Sequence, residues 1–206
     1  MPRTDPVLPA ASVETAATVP GGDLREPYPQ GSMPGAAALL RVMIEQDGSM
    51  TRLCEALSSA QVELRLRHQC VTCEVPAEVS SLLPGSRFIE RVTSLVAAGR
   101  VLTDNLVYVA LHGLDPELQQ ALQTGRRPIG HLMDGRPHRR DVVQVGAGVL
   151  GRLWATVGTP TPGATRCYTM RTPQGSAMLV CEVLRRGLYD AACSPGQATP
   201  ATRPPL

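Results

Sequence analysis

The sequence predicts an α+β protein: an antiparallel sheet of about six strands with helices packed on one face. Three observations lead there. Short stretches that alternate apolar and polar residues recur along the middle of the chain, joined by tight Gly- and Pro-containing turns. Stretches with apolar residues three and four apart lie before and among them. The chain has 206 residues, 43% hydrophobic and 18% charged, which suits one domain with a core of its own.

In order, residues 1–34 are rich in Pro, Gly, Ala and Thr without any period, and read as a flexible arm. Leu39, Leu40, Met43 and Ile44 then fall on one helical face. Asp47-Gly48 breaks that helix, Ser49 is a good N-cap, and Met50, Leu53, Cys54 and Leu57 make the apolar face of a second. Val62, Leu64 and Leu66 alternate with Glu63, Arg65 and Arg67, the pattern of a half-buried strand. "RFIERVTSLV" (87–96) and "VLTDNLVYVAL" (101–111) form a strand pair around "AAGR". "DPELQQALQTG" is a short helix, with Asp115 as N-cap, Pro116 in the first turn and Gly125 at its end. "RRDVVQVGAG" reads as a strand, and "ATRCYTMRTPQGSAMLVCEVLRR" as two more joined at Pro173-Gln174-Gly175. Residues 191–206 read as a disordered tail, so the folded unit is 35–190.

Composition excludes several functions. All 20 basic residues are Arg, so no Schiff-base or phosphate-loop lysine exists. The net charge is +2 and aromatics are 3%; no basic run carries interleaved aromatics, and nucleic acid is not an expected partner. No apolar run is long enough to span a bilayer, and "MPRTDPVLPAAS" is not a secretory signal. No membrane association and a cytoplasmic location are therefore expected. His68, Cys70 and Cys73 in "HQCVTC" fall one ligand short of a structural zinc site, and no second C-x-x-C follows. "GAGVLG" places Gly146, Gly148 and Gly151 at dinucleotide-fingerprint spacing. It lacks the following βαβ unit and the acidic residue about 20 positions on, so a tight bend after a strand is the expectation.

Three features remain as candidates. The helix start at Ser49-Met50 offers unpaired N–H groups, the place where a carboxylate is drawn, although taken alone an ordinary cap is the default explanation. Arg91 shares a strand face with Ile89, Thr93 and Leu95, and a buried Arg requires an anionic partner from the protein or a ligand. Glu182 shares a face with Val180 and Leu184 in an otherwise apolar strand. Arg91 and Glu182 are either a structural ion pair or two poles of a site.

The pieces "LLRVMIEQDGSMTRLCEAL", "SRFIERVTSLVAAGRVLTDNLVYVAL", "LQTGRRPIGHLM", "RRDVVQVG" and "AMLVCEVL" resemble, in order and spacing, the chorismate–pyruvate lyase family over residues 36–186. The resemblance implies an antiparallel sheet enclosing a ligand, and a cofactor-independent carbon–oxygen lyase that eliminates pyruvate from chorismate to give 4-hydroxybenzoate. It implies Arg91 and Glu182 as catalytic residues, with Met50, Arg91, Ile129 and Glu182 binding the substrate. The departures are "TDNLVYVAL", where some lyases place a basic residue near Asn105, and the local "HQCVTC". They leave open a repurposed enzyme of secondary metabolism, such as a cyclase, or a small-acid-binding module of the same fold. In each case a small-molecule carboxylate is the expected partner, no cofactor is expected, and the chain is expected to act as a monomer.

Overall fold

The period-two stretches form strands, and six of them make one open sheet. The strands are β1 (Glu63–Thr72), β2 (Phe88–Ala97), β3 (Arg100–Ala110), β4 (Arg139–Val142), β5 (Thr165–Thr172) and β6 (Gly175–Leu184). The structure, a computed structural model, describes residues 36–173 and 175–193. The expected arm, 1–34, and most of the expected tail, 191–206, lie outside the described residues, as does Gln174 of the expected β5–β6 turn. The strand order is β1-β2-β3-β6-β5-β4, with every neighbouring pair antiparallel.

The central hairpin owes its form to local chemistry. β2 and β3 meet at Ala98 and Gly99, both at positive φ (48° and 75°). Two such residues give the turn twist that matches paired strands, and Gly99 adopts that region without strain.

Seven helices surround the described sheet: α1 (Ala36–Glu45), α2 (Met50–Ser58), α3 (Ala77–Leu82), α4 (Pro116–Thr124), α5 (Ile129–Leu132), α6 (Ala147–Val157) and α7 (Arg186–Cys193). α2 and α4 start as their sequences predict. The Ser49 side chain accepts from Arg52 N, and the Asp115 side chain from Leu118 N. α4 ends on Gly125 in the left-handed region. α7 continues to Cys193, three residues beyond the expected end of the folded unit.

Strand alternation splits the core in two. On one face Val107, Val109, Met178 and Val180 pack on Leu118 and Leu122 of α4 and Leu132 of α5. Farther along that face Leu95, Leu102 and Leu184 pack on Met43 of α1, Met50 and Cys54 of α2 and Leu188 of α7. Five helices thus cover the face as expected. The opposite face carries a thinner second layer, where Leu106, Tyr108, Leu179, Cys181 and Val183 meet Val79 of α3 and Val149, Leu153 and Val157 of α6.

α6 is the element that differs most from expectation. The glycines of "GAGVLG" do not bend a strand. Gly146 is an N-cap, and Gly158 ends the helix with φ 80°. Gly148 and Gly151 have nothing within 4 Å of a would-be Cβ, so they sit on the open side and forfeit no packing. The strand before them is correspondingly short, four residues. No helix of the described residues is long and apolar enough to cross a membrane.

Candidate functional site

On the face covered by five helices, two transverse rows of side chains cross the sheet. Arg91, Val107, Val180 and Tyr168 stand in register on β2, β3, β6 and β5. One step along, Thr93, Asn105, Glu182 and Arg166 form a polar row on the same four strands. Above them the starts of α2 and α5 come together. A Cβ on Gly130 would stand 2.6 Å from both Ser49 Oγ and Thr51 Oγ1, so only glycine permits this approach. Between floor and roof lies a partly open cavity. Met50, Arg91, Ile129 and Glu182 all line it.

Arg91 is the feature that dominates its electrostatics. The side chain is 1% exposed. Nη2 donates to the Gly125 and Arg127 carbonyls, at 2.8 and 3.0 Å. Nε and Nη1 are buried and have no partner. No carboxylate among the described residues pairs with it. Burial lowers its pKa to about 10, which still leaves the guanidinium charged at neutral pH. It is a cation without a counter-ion, with two donors unspent.

Glu182 is placed differently. Its Oε2 accepts from Arg166 Nε at 2.7 Å, and its Oε1 from the Tyr168 hydroxyl at 3.0 Å. Of the two alternatives for Arg91 and Glu182, the mutual ion pair is not formed: directly opposite Glu182 in the β5–β6 register stands Arg166, and the carboxylate pairs there. Burial and the nearby carboxylate hold the Tyr168 phenol well above its usual range, so it stays protonated and donates. Arg166 Nη1 also reaches the last carbonyls of α1, at Met43 (3.5 Å) and Ile44 (3.4 Å). Arg140 and Arg166 each lie 5.4 Å from the centre of the Tyr168 ring.

Arg140, Arg166 and Tyr168 did not stand out in the sequence, and Asn105 did so only as a departure from the lyase pattern. The signal was there for Arg166: in "TRCYTM" it alternates with Tyr168 and Met170, which puts it on a buried face. Among the described residues no group of three His, Cys, Asp or Glu could hold a metal ion. Cys70 is half-buried, Cys73 is exposed, and the nearest acid to His68 is Glu90 at 3.9 Å.

No protein-family model matches the chain, and no curated protein matches it. Solved structures do. One is the effector domain of PhnF from Mycobacterium smegmatis, 12% identical, covering 68% of this chain and 90% of that one, with a TM-score of 0.42. A second is the ligand-binding domain of a putative GntR-family transcriptional regulator from Bordetella bronchiseptica, with 12% identity, coverage of 61% and 85%, and a TM-score of 0.38. A third is the C-terminal domain of the histidine utilization repressor from Pseudomonas syringae pv. tomato, with 9% identity, coverage of 62% and 93%, and a TM-score of 0.38.

The expected enzyme, a chorismate–pyruvate lyase, is corrected here. Of the three solved structures, one is described as a domain of a repressor, one as a domain of a putative transcriptional regulator and one as an effector domain; none of the three is described as a lyase. The carboxylate assigned to catalysis, Glu182, accepts from Arg166 and Tyr168 on its two oxygens.

Proposed function

We propose that the chain is a binding module for a small organic acid, with Arg91 holding the acid's carboxylate. One observation carries the reading. A guanidinium 1% exposed, with Nε and Nη1 unpartnered, lines a partly open cavity. Burying a charge without a partner is costly, and a bound carboxylate supplies the partner in bidentate geometry. The rest of the cavity suits a flat apolar body. Val107 and Val180 form the floor beside Arg91, and Met50, Ile129 and Met170 form apolar walls. The first amides of α2, at Met50 and Thr51, have no acceptor within their helix and add a positive rim.

Calorimetric titration of the full chain with benzoate tests the reading. Saturable one-to-one binding is expected, with affinity reduced at least ~100-fold in Arg91→Gln, the scale of a buried charge-assisted pair. Equal binding by the variant would place the acid elsewhere.

A further inference from the structure

The cavity holds a second arginine whose charge is not balanced. β4 is an edge strand, and alternation sends its residues to opposite faces. Arg139 and Asp141 face outward, where the two Asp141 oxygens are taken by Arg139 Nε at 2.8 Å and Arg171 Nε at 2.6 Å. Arg140 faces inward and lines the cavity. Its Nη1 donates to the Asp47 carbonyl, its guanidinium lies over the Tyr168 ring, and its Nε is buried with no partner. No carboxylate among the described residues pairs with it. The acid facing the cavity, Glu182, is already neutralised by Arg166. Arg91 and Arg140 thus leave two positive charges uncompensated.

They also sit at opposite ends. β2 and β4 are separated by β3, β6 and β5, four inter-strand steps of about 4.8 Å, or roughly 19 Å of backbone. Each guanidinium is tethered at its own end, Arg91 to the Gly125 and Arg127 carbonyls and Arg140 to the Asp47 carbonyl. Two cations that line one cavity from strands four steps apart, each with its own tether, fit an anion each better than one anion between them.

We propose that the ligand carries two anionic groups at opposite ends, one held by Arg91 and the second by Arg140. This rests on reading the cavity as an acid-binding site. The second group is either a carboxylate or a phosphate ester, since both present oxygens to a guanidinium. Arg140 is then the residue that selects dianions over monoanions of the same body.

The experiment titrates the full chain with benzoate, isophthalate, terephthalate and 4-carboxyphenyl phosphate. At least one dianion is expected to bind tenfold or more tightly than benzoate, and the better of the dicarboxylates and the phosphate identifies the second group. Arg140→Gln should weaken that dianion at least tenfold more than it weakens benzoate, and Arg140→Lys should recover part of the difference. Unchanged thermal unfolding shows that the variants are folded. Benzoate binding without any dianion advantage overturns this proposal alone. So does an equal loss for benzoate and dianion in Arg140→Gln, which would mean that the two arginines share one anion. If no acid binds, the acid-binding reading falls and this proposal with it.

Discussion

Glu182 and Arg166 face each other across β6 and β5, and their side chains close a 2.7 Å ion pair with both partners buried. The pair ties the sheet to α1, because Arg166 also donates to the carbonyls at the end of that helix. Breaking a buried pair by removing one partner strands the other charge, which costs about 3–5 kcal/mol.

Glu182→Gln is therefore expected to lower unfolding free energy by about 3 kcal/mol. The double variant Glu182→Leu with Arg166→Met should lose less than the sum of its single changes, since no charge is stranded. Urea denaturation of the parent, Glu182→Gln, the double variant and its two single variants measures this. Additive losses would mean that the two groups do not interact.

Arg91→Met should behave in the opposite way. The guanidinium has no acid partner among the described residues, so its removal relieves a desolvation cost. Against this, the Gly125 and Arg127 carbonyls lose a donor. The two effects should leave stability within about 1 kcal/mol of the parent, while benzoate binding is lost. A variant that both unfolds and fails to bind would make Arg91 a structural residue.

Much of this was legible in the sequence, because alternation reports faces. Ile89, Arg91, Thr93 and Leu95 do share a face, as do Val180, Glu182 and Leu184. What alternation cannot report is which strands become neighbours. β6 lies between β3 and β5, so Glu182 meets Arg166 of the adjacent strand, while Arg91, two strands away on β2, is left unpaired. α6 was obscured for another reason. Its glycines lie on the open side of the helix and mimic a turn, whereas the signal that mattered was the spacing of Val149, Leu153 and Val157.

Gly130→Ala should disturb the roof. The added methyl would meet Ser49 Oγ and Thr51 Oγ1 at 2.6 Å, so α2 and α5 must part. Overpacking of this kind costs about 1–3 kcal/mol. Thermal unfolding should report the loss, and benzoate affinity should fall with it; a neutral change in both would mean that the helix starts are free to separate.

Binding should be insensitive to pH between about 6 and 9. Burial lowers the Arg91 pKa from its ordinary value only to about 10, so the cation persists across that range. The sign for stability follows from proton counts. From about 10 up to the ordinary arginine value the unfolded chain binds the Arg91 proton more than the folded chain does, so stability contributed by this group rises with pH in that window. Below it the penalty is constant. The acid itself must be ionised, so affinity should fall as pH drops through the carboxylic range near 4. A midpoint near 6.5 would instead implicate a histidine.

The role of the Met50 amide can be separated from that of its side chain. Met50 is the first residue of α2, and proline is well tolerated at that position because the amide there has no intrahelical acceptor. The preceding Ser49 already has φ −71° and ψ 119°, the extended geometry that a following proline requires. Met50→Pro thus deletes the amide donor and the buried side chain without breaking the helix, and Met50→Ala deletes the side chain alone. Met50→Leu keeps both donor and bulk. Benzoate affinity should follow the order Leu, Ala, Pro, with Pro about tenfold below Ala, the size of one hydrogen bond to a charged group. Equal affinities for Pro and Ala would show that the amide does not hold the carboxylate, and that Arg91 acts without the helix start.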